Sequence, residues 1–225
     1  MKRIIPSIAS SDQLRVADQI LRTGSWPYLH IDMEDGNFIP NITFGMKMVN
    51  SIASFALGKE LDAHLMVTNP GDYIPDLLKA GVKKIAFHIE AAPYPGVYLQ
   101  MIHEQGGCAG IAFNFQADLK QVLPYKDSID YLLIMTSEPD RKGQKFTPYI
   151  IEKIKEAGKI FPPRVQIMVD GGVSEENMKE LSDAGTSEFV MGRAIWSASD
   201  PEKRIHYLSD KLNRRWEKGE NPIIN

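Results

Sequence analysis

A repeat constrains this chain more than any other feature. Glycine closes a series of helix-like stretches: Gly24 after DQILRT, Gly81 after PDLLKA, Gly106 after LQMIHEQ, Gly158 after KIKEA and Gly185 after KELSDA. Glycine just past a helix fits the left-handed position that ends it, where other residues are strained. The spacings are 57, 25, 52 and 27 residues, so if the two long gaps each hold two units, one period of about 26–28 fits all four. That length holds a strand, a helix and two loops, and the 225 residues have room for about eight such units.

Short apolar runs recur between the helix-like stretches. Strands are expected at RIIPSIA (3–9), YLHID (28–32), LDAHLM (61–66), KIAFHIE (84–90), CAGIAFN (108–114), YLLIM (131–135), VQIMVD (165–170) and EFVMG (188–192). Their apolar character is nearly continuous, as expected of parallel strands covered on both faces. Strand–helix alternation implies a parallel sheet, and eight units imply a closed (β/α)8 TIM barrel of the α/β class. A doubly wound open sheet is the alternative, and it uses fewer units. No Gly/Ser linker or long charge run divides the chain, so one domain over 1–225 is expected.

Composition narrows the setting. Apolar residues make up 43% and charged residues 24%, the balance of a soluble globular protein. The net charge is -3 and no basic block stands out, so neither a nucleic acid nor a membrane surface is an expected partner. No apolar run approaches the ~18 residues of a membrane span. The N-terminus starts basic, but Pro6 and Asp12 interrupt any signal-like apolar core. Cys108 is the single cysteine, which rules out an internal disulfide and fits a reducing cytoplasm.

In a barrel of this kind the chemistry sits at the C-terminal ends of the strands. There the sequence places His30 and Asp32, then His64, then His88 ahead of Glu90, then Asp170-Gly171-Gly172. The remaining histidines, His103 and His206, fall in expected helices. His30 and Asp32 are two residues apart and share a strand face. Two histidines and two aspartates converging on one mouth form a donor set for a divalent metal such as zinc, iron(II) or manganese. Taken singly, each histidine fits a hydrogen-bonded structural role as well, and Asp-Gly after a strand is more often a turn. The four together shift the balance. Two glycine loops suggest an anion site: Asp170-Gly171-Gly172, ahead of a helix expected from near Ser174, and Met191-Gly192-Arg193 after the eighth strand. Plain loop glycines are the competing reading.

These motifs resemble a known family. HIDMEDGNFIPNITFG resembles the H-x-D-x-M-D-G-x-F-V-P-N stretch of the ribulose-phosphate 3-epimerases, HLMVTNPGDYI resembles their next motif, and VDGGVSEENM the one with the second aspartate. Pro6-Ser7-Ile8 matches their S-P-S-I/L start, and the matches run in family order from about residue 4 to residue 200. The resemblance implies a (β/α)8 barrel with a phosphate-binding site at its C-terminal face that interconverts 3-epimers of ketose phosphates. His30, Asp32, His64 and Asp170 match the family's metal ligands, for one divalent ion (zinc, iron(II), manganese or cobalt). Asp32 and Asp170 also match its acid/base pair. Ser7 and His64 match substrate contacts, and Gly171, Gly172 and Gly192 match phosphate contacts, with Gly143 and Arg193 as further substrate-binding candidates. Met66 and Met135 match the family's cushioning methionines, a role that ordinary core filling fits equally well. A homo-oligomer, dimer or hexamer, is implied as well.

Three departures bear on the substrate. Glu34 stands where the family usually has Met, the loop P-G-F-G-G-Q reads Pro139-Asp140-Arg141-Lys142-Gly143-Gln144, and G-S after strand 8 reads Gly192-Arg193. The run MTSEPD and the G-R-A ending resemble a divergent subgroup of sugar-phosphate epimerases. Ribulose 5-phosphate/xylulose 5-phosphate is the expected substrate pair, closely followed by a hexulose 6-phosphate of the allulose type. If strand 2 stays extended past Asp32, Glu34 faces the mouth; if it turns, Glu34 is solvated. Arg141, Lys142 and Arg193 are expected to take over part of the phosphate grip, the alternative being that Arg193 points to solvent and the glycines bind alone. Two rival functions remain. One is a phosphate-binding barrel lyase, whose Asp-x-Lys-x-x-Asp array has no lysine counterpart between His30 and Asp35. The other is a non-catalytic sugar-phosphate-binding protein, which has no need of two opposed acid/base groups.

Overall fold

A computed structural model describes residues 2–139 and 146–213. Among these, eight parallel strands form one sheet: β1 (Arg3–Pro6), β2 (Tyr28–Glu34), β3 (Glu60–Met66), β4 (Lys84–His88), β5 (Cys108–Phe113), β6 (Tyr131–Met135), β7 (Gln166–Asp170) and β8 (Glu188–Met191). Neighbours run β1-β8-β7-β6-β5-β4-β3-β2. A parallel bridge between Ser7 and His30 brings the two ends together, so the sheet curls into a barrel. The helices are α1 (Val16–Leu21), α2 (Met46–Phe55), α3 (Ile74–Ala80), α4 (Pro95–Glu104), α5 (Ile150–Ile160), α6 (Met178–Ala184), α7 (Arg193–Trp196) and α8 (Pro201–Asn213). A 3-10 segment, Leu119–Tyr125, stands between β5 and β6 in place of an α-helix. None of the described helices is long and apolar enough to cross a membrane.

Side-chain parity explains both faces of the sheet. Leu29, Ile31, Ala63, Leu65, Ile85, Phe87, Ile111, Phe113, Leu132, Ile134, Val169 and Phe189 point outward into the layer beneath the helices. They meet helix residues spaced three or four apart, such as Ile150, Ile154 and Ala157 on α5 and Ile205, Leu208 and Leu212 on α8. Each fully buried Leu, Ile, Val or Phe among them contributes roughly 1.5–3 kcal/mol of burial free energy. The opposite parity fills the barrel with Ile5, Ala86, Ala112, Tyr131, Leu133, Met168 and Val190. The Tyr131 ring occupies the space beside Gly110, where any side chain would collide with it. The buried Lys84–Glu188 ion pair lies at the N-terminal end of this interior.

The strand expectations hold in position; β3, β5, β7 and β8 differ by one residue at an end, and β1, β2 and β4 by two or more. β1 stops at Pro6 and β4 at His88, both followed by a 3-10 turn, and β2 continues to Glu34. One helix end is corrected. Gly158 does not close a helix; it lies inside α5, which runs to Ile160. Its position is exposed, where glycine costs only about 1 kcal/mol, and the buried Ile154 and Ala157 keep the helix going. Gly81 and Gly185 do follow α3 and α6 with φ of 97° and 122°.

Candidate active site

β2 carries three polar side chains into the barrel mouth. Leu29, Ile31 and Met33 are buried against the helix layer, so His30, Asp32 and Glu34 share the inner face. Thr43 keeps the strand extended to its end: its Oγ1 donates to the Asp32 carbonyl (2.6 Å) and accepts from the Glu34 amide (3.1 Å). Parallel register then sets Asp32 beside His64 and Glu34 beside Met66 on β3, and Met135 on β6 beside Asp170 on β7. The last carbonyl of β7 is fixed from just past β6, where the Thr136 amide donates to the Asp170 carbonyl oxygen at 2.6 Å.

Barrel closure brings the four predicted ligands together. His30 Nε2 is 3.0 Å from Asp32 Oδ1 and 3.7 Å from Asp170 Oδ2. His64 Nδ1 is 3.1 Å from Asp170 Oδ2 and 3.5 Å from Asp32 Oδ1. One donor atom from each residue lies within 4.8 Å of all the others. Donors held about 2.0–2.2 Å from one tetrahedral ion stand roughly 3–3.5 Å apart, so this set fits a divalent metal with little movement. The remote ring nitrogens fit it too. His30 Nδ1 contacts the buried Asp62 carboxylate, and His64 Nε2 lies 2.8 Å from His88 Nε2. Metal-bound histidines almost always have the other nitrogen engaged in this way.

Electrostatics reflect the crowding. Burial opposes a charge on His30, but the Asp62 and Asp32 carboxylates outweigh it and raise its pKa well above the ordinary value. Burial likewise opposes a charge on His64, and Asp170 and Asp32 outweigh it and raise that pKa also. Asp32 is held well below the usual carboxylate range, its own burial being overcome by His30 and His64. His88 behaves oppositely: burial lowers it to about 4, so it is neutral.

Above the cluster opens a cavity of about 900 Å3. Ser7, Asp32, Asp170, Gly171, Gly172, Gly192 and Arg193 all line it, which unites most of the predicted substrate contacts in one space. Ser7 Oγ donates to Asp32 Oδ2 at 2.5 Å, leaving Oδ1 to the cluster. Gly171 and Gly172 have φ of 106° and 65°, and a Cβ on Gly171 would stand 2.5 Å from Ser137 Oγ, so this turn needs glycine. Arg193 is exposed at the start of α7, on the cavity wall. Glu34 faces the mouth, buried, and accepts from Asn41 Nδ2 at 2.6 Å. Met66 and Met135 line the same space.

The expected helix from near Ser174 does not form there. α6 starts at Met178, and the Ser174 amide is taken by Asn177 Oδ1 (2.9 Å), whose Nδ2 holds the Gly172 carbonyl (2.9 Å). Asn177 staples this turn, and one helical bond, from the Met178 amide to the Ser174 carbonyl at 3.0 Å, leads it into α6. Gly143, Asp140, Arg141 and Lys142 lie outside the described residues. Sequence reasoning missed Asp62 and gave no partner to His88 or Glu90. The available signal was parity, since Asp62 precedes His64 by two and must share its inward face.

Comparisons with known proteins place the chain in a family. Ribulose-phosphate 3-epimerase of Aquifex aeolicus is 37% identical over 217 residues, covering 94% of this chain and 97% of its own. That of Bacillus subtilis is 35% identical over 211 residues, covering 91% and 97%. Among solved structures, 3-keto-L-gulonate-6-phosphate decarboxylase from Vibrio cholerae superposes with a TM-score of 0.71 at 16% identity, over 96% of this chain and 100% of that one. The 3-hexulose-6-phosphate synthase from Salmonella typhimurium gives 0.69 at 19% identity, over 94% and 98%. At such identities these two share the barrel and nothing more specific. Residues 3–196, which carry every strand and the whole His/Asp cluster, match the ribulose-phosphate 3-epimerase family, and the chain belongs to it.

Proposed function

We propose that this chain is an isomerase that interconverts the 3-epimers of a ketose phosphate, using Asp32 and Asp170 as opposed acid/base groups. One observation carries the reading: two carboxylates and two imidazoles from β2, β3 and β7 meet at the floor of a cavity whose rim holds Gly171, Gly172, Gly192 and Arg193. Epimerisation beside a ketone removes a proton from one face of the carbon and returns one to the other. Asp32 and Asp170 stand on strands separated by β1 and β8 around the ring, so they approach a sugar from different sides. One carboxylate takes the proton as the C–H electron pair passes into an enediolate. The other carboxyl group, protonated at the start, delivers its proton to the opposite face. Ser7 holds Asp32 in place through Oδ2. A divalent ion held by His30, Asp32, His64 and Asp170 would act as a Lewis acid toward the negative charge of that enediolate.

Glycine amides at the β7 and β8 loops and the Arg193 guanidinium are the proposed phosphate contacts, the latter suited to bidentate binding. Ribulose 5-phosphate/xylulose 5-phosphate and a hexulose 6-phosphate are the proposed substrates. A homo-oligomeric state and a cytoplasmic setting belong to the same proposal. The deciding experiment is solvent deuterium exchange at the carbon beside the carbonyl, screened over pentulose and hexulose phosphates with divalent metal added. Exchange with formation of the 3-epimer is expected for at least one of them; binding without exchange across the panel would favour a sugar-phosphate-binding protein, and carbon dioxide or aldehyde release a lyase.

A further inference from the structure

Two layers of hydrogen bonding stand behind His64. Its Nδ1 faces Asp170 and Asp32, and its Nε2 faces His88 Nε2 at 2.8 Å. His88 Nδ1 in turn lies 3.2 Å from Glu90 Oε2, and Glu90 Oε1 accepts from the Asn114 amide at 3.0 Å. The rings of His64 and His88 are 21° from parallel with centroids 5.0 Å apart, an edge-to-edge arrangement that suits the bond between their Nε2 atoms, and the Phe38 ring packs against His88 at 4.8 Å. Both histidines are buried, so neither can exchange these partners for water.

The tautomers follow from this geometry. His64 can offer a lone pair from Nδ1 to a metal only if its proton sits on Nε2. A buried Nε2–H needs an acceptor, and His88 Nε2 is the atom within reach. His88 can accept there only as the Nδ1–H form, and that proton needs an acceptor too, which Glu90 Oε2 provides. His30 reaches the same end in one step, through the Asp62 carboxylate behind its Nδ1. We propose that His88 and Glu90 are positioning residues, a relay that locks His64 in the Nε2–H tautomer and presents Nδ1 to the metal. The inference rests on the metal site proposed above and goes beyond it by extending the machinery to β4 and the turn after it. In the chain the relay is the short stretch His88-Ile89-Glu90.

The test compares His88→Leu, which removes the acceptor, with His88→Gln, whose amide oxygen can replace it. Dissociation constants for zinc and cobalt(II) are measured by chelator competition, with the cobalt(II) visible spectrum recording the ligand set. His88→Leu is expected to weaken binding about 10- to 100-fold, the usual effect of removing an outer hydrogen-bond partner, with His88→Gln within about threefold of wild type. Equal losses in both variants would assign the effect to packing and overturn the relay, as would an unchanged constant in His88→Leu. A wild-type protein that binds neither ion overturns the metal site and the relay together, which separates the two failures. Should His88→Leu not fold, 15N-histidine spectra of zinc-loaded wild type decide: protons on His64 Nε2 and His88 Nδ1 are expected, and a proton on His88 Nε2 overturns the proposal.

Discussion

Asp32 and Asp170 illustrate how much rests on single side chains. Asp32→Asn and Asp170→Asn would each remove a proposed base and a proposed anionic donor at nearly unchanged size. General acid/base contributions are about 10²- to 10⁴-fold, so each variant is expected to lose at least two orders of magnitude in kcat. The double variant is expected to be scarcely worse, because proton removal and return need both groups. Steady-state epimerisation assays check this, and either single variant keeping a tenth of wild-type activity would sink the two-base scheme. Arg193 makes a different prediction. It lines the cavity from the start of α7, where the family pattern has serine, so Arg193→Ser is expected to raise KM for the phosphorylated sugar about tenfold, the loss of one charged hydrogen bond, with kcat little changed. An unaltered KM would leave the phosphate to the glycine loops. At this scale the sequence showed which residue types stand at strand ends, and parity correctly aimed Glu34 into the mouth. It did not show that Ser7 holds Asp32 or that Asp62 backs His30, because those contacts join strands whose pairing is not written in either segment.

Elements hold the loops that hold the site. Glu175, in the turn between Gly172 and α6, binds three residues of α8: Arg204 Nη1 at 2.8 Å, Tyr207 Oη at 2.8 Å and Lys211 Nζ at 2.5 Å. Lys211 foremost, with Tyr207 and Arg204, holds the Glu175 carboxyl down to about 2, against an ordinary value of 4.5. A depressed carboxylate stabilises the fold above its unfolded pKa and loses that contribution as pH falls toward its folded one. Glu175→Gln is therefore expected to cost about 1 kcal/mol near neutral pH, given solvent screening of the cluster. In a chain of this size that lowers Tm by about 2–4 °C. The gap between variant and wild type should close between pH 4.5 and about 2, as thermal melts across that range would show. A gap independent of pH would mean that packing rather than charge joins α8 to the loop. The repeat of strand and helix was legible because apolar runs and three-or-four spacing are local signals. In the turn after β7 the helix starts at Met178, four residues later than expected, with Asn177 holding the Ser174 amide and the Gly172 carbonyl ahead of it.

For the whole molecule, the proposed metal site would link ion binding to stability. An ion that binds only the folded chain, present at a hundred times its dissociation constant, stabilises by about 2.7 kcal/mol, or roughly 5–10 °C in Tm. Zinc, manganese or cobalt(II) is expected to produce such a shift, and a chelator to abolish it together with turnover. Affinity is expected to climb with pH, since the raised pKa values of His30 and His64 mean that protons must leave before the metal enters. Calorimetry in two buffers of different ionisation enthalpy would count those protons; none released would mean that His30 and His64 are already neutral, and full activity after demetallation would remove the metal from the scheme. The sequence by itself determined the architecture and the cast of donors, because strand runs, their parity and glycine-closed helices depend on neighbours a few residues away. Only the tertiary structure decided the site. His64 and Asp170 are 106 residues apart and meet because the ring closes, and the pairs Asp62–His30 and His88–His64 exist because adjacent strands settle in one register. Closure and register are set by long-range packing of the whole barrel, a property that no stretch of the chain carries alone.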